Sequence, residues 1–335
     1  MIRIRPVKMA DHGEILELAT IAGIGMSSLP QDEDVLEEKI VNAVKSFGGS
    51  PTHPKEENFL FVLEDMEHKK LVGTTGIFAH VGLSRPFYSY KLSTITQASS
   101  ALGIYSLQQV LHMVNDYTDA TEIGSLFLHP DYRRDGIGKF LSRARYLMMA
   151  QFPELFSDIV ISEIRGVQNE DGNSPFYDNL ARHFFKMDFR QADYIYATQG
   201  AQFIADLMPR YPIYVNLLSP EAQSVIGVPF AASKAAMQLL ISEGFHYEGY
   251  VDLFDAGPTM QAEREEILTV KASRRAEVKA LREVGGEPRM VCNSRLNDFM
   301  ITPGAVEAEG AGVAIAPDVA RALGVKVGDN VRFAP

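Results

Sequence analysis

The sequence predicts an α+β protein, with a sheet flanked by helices and a helical and β-rich extension at its C-terminal end. Three observations carry this expectation. Apolar stretches of strand length recur at 59–63, 71–81, 123–128 and 159–164, separated by helical patterns or short turns. From 122 to 152 a strand, a glycine-containing loop and a long amphipathic helix follow one another directly. From 285 onward the pattern changes to short strands with frequent Gly and Pro. The chain has 335 residues, and single cores rarely grow past ~250–300 residues, so more than one unit is expected.

The elements follow in order. Ile2 and Ile4 alternate with Arg3 and Arg5 as a half-buried strand ended by Pro6. Asp11 is placed to N-cap a helix with Ile15, Leu18, Ala19 and Ala22 on one face. Residues 23–30 break periodicity, and Gly25 to Pro30 is a candidate substrate loop. A second helix carries Leu36, Ile40, Val44 and Phe47 on one side. The strands at 59–63 and 71–81 read as an antiparallel pair joined at 66–69. Residues 82–120 exceed what one turn needs and predict an extra hairpin, strand-like at 92–97 and near 110–114. Past the central helix, Pro175 sits in the first turn of another helix, where its missing N–H costs little. Residues 200–230 read as two short helices. A helix at 235–242 is capped by Gly244 and leads into a strand at 247–254.

Composition excludes several function classes. A net charge of −11 argues against nucleic-acid binding, which normally needs a basic balance or stripe. The single cysteine, Cys292, permits no internal disulfide framework and no cysteine zinc site, and reads as a small buried hydrophobe. No His or carboxylate cluster has the spacing of a catalytic metal site. There is no signal-like apolar core near Met1 and no run long enough to span a membrane, so the expected location is cytoplasmic.

The loop after the strand at 123–128 carries the first chemistry. It reads Arg133-Arg134-Asp135-Gly136-Ile137-Gly138-Lys139. Gly136 and Gly138 remove side chains that would keep a ligand off the backbone. A helix starting there points unpaired N–H groups and its positive dipole end at an anion. Arg133, Arg134 and Lys139 add cationic donors, and a pyrophosphate is the natural guest. A Rossmann fingerprint is disfavoured because Leu141 occupies the place of its third glycine, and a Walker loop is excluded by spacing.

This segment resembles motif A of the GNAT N-acyltransferases, whose Arg/Gln-x-x-Gly-x-Gly/Ala loop holds the pyrophosphate of acyl-coenzyme A. Further stretches resemble one branch of that superfamily, the arginine N-succinyltransferases of arginine catabolism. They include Ser27-Ser28-Leu29-Pro30, Phe61-Val62-Leu63-Glu64-Asp65, Ser174-Pro175-Phe176, Pro212-Ile213-Tyr214 and Asp252-x-Phe254-Asp255-x-Gly257-Pro258-Thr259. They extend to about residue 260, and the end of the chain is matched less clearly.

The resemblance implies a GNAT-type mixed, mostly antiparallel twisted sheet flanked by helices. The expected division is an acyl-CoA-binding core at 1–199, a substrate cap or second GNAT-like half at 200–284, and a small β-rich appendage at 285–335. An alternative makes 165–230 an inserted cap and lets the helix and strand at 235–254 complete the GNAT fold. Succinyl-CoA is the implied co-substrate, with no metal, and the acceptor is a small amino acid, arginine or ornithine, attacked through its α-amino group. A different acceptor or acyl group, or a non-catalytic acyl-CoA-binding protein, are the alternatives. Homo- or hetero-oligomers are compatible with the reading.

Acyl transfer to an amine needs a group that removes a proton from the ammonium and one that protonates the leaving thiolate. By resemblance, Glu122 is the candidate base and Tyr177 the candidate acid. Arg133, Arg134, Gly136, Gly138 and Lys139 would bind the cofactor pyrophosphate. The backbone of Leu126, Phe127 and Leu128 would meet the pantetheine amides if the strand is splayed from its neighbour; the family places a succinyl-CoA contact at Leu126, whose N–H is also a candidate oxyanion donor. A guanidinium acceptor needs facing carboxylates, and Glu163, Asp188, Asp193, Asp252 and Asp255 are available. One departure stands out. The family's proposed proton-donor His follows a Val-Ile-Gly turn, and here Val225-Ile226-Gly227 leads to Phe230, which has no proton to give.

Overall fold

A computed structural model describes residues 1–23, 26, 28–51, 55–169 and 172–335, with the side chains of residues 197 and 199 outside that description. Its first ten strands are β1 (Ile2–Pro6), β2 (Asn58–Asp65), β3 (Lys70–Phe78), β4 (Ser89–Ser99), β5 (Ile104–Val114), β6 (Thr121–Leu128), β7 (Ile159–Glu163), β8 (Ile213–Tyr214), β9 (His246–Val251) and β10 (Pro258–Glu263). Six follow: β11 (Arg274–Leu281), β12 (Arg289–Cys292), β13 (Ile301–Gly304), β14 (Val306–Glu309), β15 (Gly312–Ile315) and β16 (Asn330–Ala334). The hydrogen-bonded order is β14-β15-β11-β16-β12-β13-β1-β2-β3-β6-β7-β10-β9-β4-β5-β8. Among the described residues only β6 with β7 and β11 with β15 run parallel, so the sheet is mixed and mostly antiparallel.

The period-two alternation of β2 shows why helices cover both faces. Phe59, Phe61 and Leu63 pack with Leu141, Ala144 and Met148 of α3 (Ile137–Gln151), while Leu60 and Val62 pack with Ile15 and Leu18 of α1 (His12–Ala22) and Leu36 and Ile40 of α2 (Glu33–Phe47). On α2 the buried stripe runs Leu36, Ile40, Ala43, Phe47, and Val44 is exposed, because a 3.6-residue turn brings 43 rather than 44 under the sheet. Asp11 stands at the N-cap of α1 but makes no cap bond. Its carboxylate instead takes the Arg5 guanidinium at 2.8 and 3.0 Å and the Lys8 N–H at 2.7 Å. A charged partner within reach outcompetes the neutral helix N–H groups. Cys292 is fully buried and its thiol is pushed up to about 12 by that burial, a packing residue.

After β7 the chain leaves the sheet for α4 (Pro175–Asn179), α5 (Ala181–Phe185), α6 (Phe189–Gln199), α7 (Gln202–Leu207) and α8 (Pro220–Val225). Ser174 caps α4 by accepting the Tyr177 N–H at 3.3 Å. An aromatic cluster of Phe176, Tyr177, Phe185, Phe189 and Phe254 joins this excursion to Tyr90 of β4 and Leu111 of β5. The chain returns through α9 (Lys234–Ser242), and β10 then pairs with both β7 and β9. Next come α10 (Leu268–Ala272) and the C-terminal strands, with α11 (Pro317–Leu323) packed among them. They continue the sheet through Ile4↔Ile301. Among the described residues no helix is long and apolar enough to cross a membrane.

Candidate active site

The centre of the sheet is opened by its parallel pair. β6 and β7 are registered only at Thr121↔Val160 and Glu122↔Ile161. Beyond, apart from the Ser162 hydroxyl donated to the Ile123 carbonyl at 3.1 Å, no strand among the described residues pairs the β7-facing edge of residues 124–128. Opposite, the β3 ladder shifts register between Thr74 and Gly76. Ser125 takes φ +52 there, a conformation costly for a residue with a Cβ. Hydrogen bonds hold it: its N–H donates to Ser28 Oγ at 3.0 Å, its hydroxyl to the Ser28 carbonyl at 2.7 Å, and Thr74 Oγ1 donates to its carbonyl at 2.8 Å. The loop after α1 is thereby tied to the opened strand at Ser28. Gly25 and Ser27, within the same candidate substrate loop, lie outside the described residues.

β6 runs into the predicted anion loop. Gly136 is the N-cap of α3 at φ +75, where only glycine is unstrained, and no side chain caps the helix. Among the described residues the N–H groups of Gly138 and Lys139 have no acceptor. A Cβ on Gly138 would meet only a Leu128 methyl at 3.7 Å, so the space over the backbone is open. Arg133 turns back through Nε to the Leu128 carbonyl at 3.0 Å and lies over the Phe127 ring. Arg134 and Lys139 are exposed. Exposed cations and unpaired N–H groups at the start of a long helix suit a pyrophosphate.

On the α2 side of the same opening lies a recess of half-buried carboxylates. Glu122 and Glu163 enter from β6 and β7, Asp193 from α6 and Asp252 from the turn before β10. That turn is fixed by close backbone approach. A Cβ on Gly257 would stand 2.0 Å from the Ile164 carbonyl oxygen, and one on Gly166 2.4 Å from that of Asp255. Asp255 then accepts the Gly166 N–H at 2.7 Å and the Gly257 N–H at 2.8 Å. Asp252 accepts the N–H groups of Phe254 and Asp255 at 2.7 and 2.8 Å.

The electrostatics follow from burial and like charge. Burial pushes the Glu122 carboxyl up to about 7, opposed by Lys39 and aided by Asp252. Glu163 is raised well above the usual carboxylate range by burial and by Asp252, Glu122 and Asp255. Asp193 is pushed up to about 6 by burial, with Asp252 raising and Arg165 lowering it. The Lys39 ammonium is pushed down to about 8 by burial, against the pull of Glu122. It donates to the Ser28 carbonyl and, at 3.1 Å, to Ser125 Oγ. The Tyr196 hydroxyl is held far above its ordinary value by burial and by the charges of Glu163, Glu122, Asp252 and Asp193, so it stays protonated in their field.

Of the sequence-predicted residues, the fold brings Glu122 and the 126–139 segment to one opening and adds Glu163, Asp193, Asp252 and Asp255 from the carboxylate candidates. Asp188 goes elsewhere, capping α6 through the Gln191 N–H at 2.8 Å. Tyr177 is fully buried, its hydroxyl donated to the Met187 carbonyl at 3.3 Å and its ring packed on Phe185, Phe189 and Phe254. The charges that act on it are Asp188, Asp178 and Arg182, none of them in the recess. Phe230 lies under the Arg165 guanidinium, 4.8 Å from ring centroid to Cζ. His183 and His246 are exposed. Sequence reasoning missed Lys39, Arg165 and Tyr196, which sit in unremarkable patterns and are gathered only by the fold.

Comparison with known proteins adds an independent line. The arginine N-succinyltransferase beta subunit family matches residues 2–269, and the C-terminal domain of that beta subunit matches residues 274–335. The chain is 40% identical over 347 residues to an arginine N-succinyltransferase of Yersinia pestis, covering 100% of this chain and 99% of the relative. It is 40% identical over 334 residues to arginine N-succinyltransferase subunit beta of Pseudomonas aeruginosa, covering 99% and 97%. The solved structure of arginine/ornithine succinyltransferase subunit AI from Pseudomonas aeruginosa superposes with a TM-score of 0.89 at 35% identity, covering 100% of this chain and 98% of that one.

Proposed function

The chain belongs to the arginine N-succinyltransferase family, and from that premise we infer that it moves the succinyl group of succinyl-CoA onto the α-amino group of arginine. The observation that carries the reading is the acidic recess set directly against the opened edge of β6. One side offers backbone to an acyl thioester, and the other offers excess negative charge to a cationic amino acid. Ornithine presents the same α-amino group and a second cation, so it is the natural second acceptor.

The residues divide the work as follows. The N-terminus of α3, with Gly136, Gly138, Arg133, Arg134 and Lys139, receives the pyrophosphate. The backbone of Leu126, Phe127 and Leu128 meets the pantetheine arm, and the Leu126 N–H faces the thioester oxygen as negative charge develops on it. Glu122, poised near neutrality, takes a proton from the α-ammonium, and the freed amine attacks the thioester carbon. The C–S bond breaks as the amide forms, the thiolate takes a proton from Tyr196, and the second proton shed by the attacking nitrogen restores the Tyr196 hydroxyl. Tyr177, expected from the sequence to be this acid, is assigned to packing. Glu163, Asp193 and Asp252 supply the field that favours a cationic acceptor. Two relatives are named as subunits, and we expect this chain to work within a homo- or hetero-oligomer.

Thiol release from succinyl-CoA and acetyl-CoA, measured against arginine, ornithine and neutral amino acids, tests the function. Succinyl-CoA with arginine should give the highest kcat/KM. Release with neutral amino acids alone, or with none, would sink it.

A further inference from the structure

Both substrates of the proposed reaction carry a carboxylate: the far end of the succinyl group, and the α-carboxylate of the amino acid. Either must enter a recess walled by Glu122, Glu163, Asp193 and Asp252, which repel it. An anion is held there only by a cation with donors to spare. Among the described residues two cations act on this recess, Lys39 and Arg165. The Lys39 ammonium already donates to the Ser28 carbonyl and to Ser125 Oγ.

Arg165 is differently placed. It stands two residues beyond Glu163, on the same alternating face as the end of β7. Its backbone is pinned, since its carbonyl accepts the Phe230 N–H at 2.8 Å and Gly166 bridges to Pro229. Its guanidinium is steadied against the Phe230 ring at 4.8 Å, and Nη2 donates to Gln168. Its Nε is buried and has no hydrogen-bond acceptor. Among the described residues no carboxylate comes within ion-pair distance of it, and the Asp255 carboxylate on its flank is engaged by the N–H groups of Gly166 and Gly257. A buried charged donor without an acceptor is costly, and a guanidinium steadied on one ring with donors to spare matches a planar carboxylate.

We propose that Arg165 binds a substrate carboxylate in this recess, steadied by Phe230 at the position where the family has a histidine. The proposal rests on the acyl-transfer reading above and adds what selects the substrate. A carboxylate on the acyl chain makes Arg165 the residue that separates succinyl-CoA from acetyl-CoA. A carboxylate on the acceptor makes it the residue that separates arginine from its decarboxylated analogue, agmatine.

The test measures kcat/KM for the natural chain, Arg165→Met and Arg165→Lys with succinyl-CoA and acetyl-CoA at saturating arginine, and with arginine and agmatine at saturating succinyl-CoA. Arg165→Met should lose about 10- to 100-fold, the span of a lost charged hydrogen bond, for one carboxylate-bearing partner. The matching partner without the carboxylate should stay within about threefold. Loss confined to succinyl-CoA places the carboxylate on the acyl group, and loss confined to arginine places it on the acceptor. Arg165→Lys should recover part of the loss, because it keeps the charge without the fork. Calorimetric titration of both donors into the natural chain and both variants gives the acyl-group comparison without turnover. An equal loss on every substrate pair, or no loss on any, overturns the proposal while leaving succinyl transfer by the natural chain intact. Absence of turnover by the natural chain overturns the acyl-transfer reading, and this proposal with it.

Discussion

In the proposed cofactor half of the site the ligand-facing groups are backbone, they lie within residues 126–139, and the nearby cations Arg134 and Lys139 are exposed to solvent. In the acceptor half they are side chains, drawn from α2, β6, β7, α6 and the turn before β10, and they are half-buried. The two halves should therefore fail differently. A backbone cradle tolerates changes of charge at its rim and is blocked by added bulk. A buried cluster tolerates little change of charge, because each member sets the protonation of the others.

The largest effect is expected at the junction of the halves. Glu122→Gln should lower kcat by roughly 10²–10⁴-fold, the usual span for a general base, while calorimetric affinity for coenzyme A stays unchanged. In the natural chain the base form of Glu122 populates as pH rises through about 7, so kcat/KM should climb through that region on its acidic limb. Activity of Glu122→Gln within a few-fold of the parent at every pH would show that the proton leaves by another route.

Next in size is a blow to the cradle. Gly138→Val should weaken coenzyme A binding by about tenfold or more, or ~1.4 kcal/mol. The fold should be retained, since an added Cβ meets only the Leu128 methyl at 3.7 Å. Unchanged affinity removes the pyrophosphate assignment. Arg134→Ala, at an exposed position whose side chain pairs with the neighbouring Asp135 at 3.8 Å, should cost less than Gly138→Val by the same calorimetry.

The two tyrosines sharpen the contrast further. Tyr196→Phe should lower turnover by about tenfold, less than a full general acid because a thiolate leaves readily. Tyr177→Phe should leave turnover alone and cost about 1 kcal/mol in denaturant unfolding, the worth of the hydroxyl's bond to Met187. The reverse ranking would return the acid role to Tyr177. Smallest of all, Phe230→His should change arginine turnover by no more than about threefold, because a neutral imidazole keeps a flat face under Arg165. A large gain would show that a proton donor at that position is what the natural chain lacks.

The sequence by itself determined the local parts. Short apolar runs at 59–63 and 123–128 wrote β2 and β6, Gly136 and Gly138 wrote the mouth of α3, and Ser174-Pro175 wrote the start of α4. Each of these depends on neighbours a few residues away, through period, cap or φ. The segments resembling the succinyltransferases carried the family, and Glu122 and the 126–139 segment were legible for the same reason. Tertiary structure decided the rest. Asp193 and Asp188 lie five residues apart on the chain and were equivalent candidates, yet one enters the recess and the other caps α6. Tyr177, the acid expected from the sequence, is packed among Phe185, Phe189 and Phe254, whereas Tyr196, which the sequence did not single out, lies in the field of the carboxylates, because packing of the helices after β7 fixes which hydroxyl meets them. Lys39 and Arg165 gave no signal at all. The roles proposed for them exist only where β6 and β7 part and where Gly166 and Gly257 let two backbones nearly touch, contacts between residues that sequence spacing does not bring together.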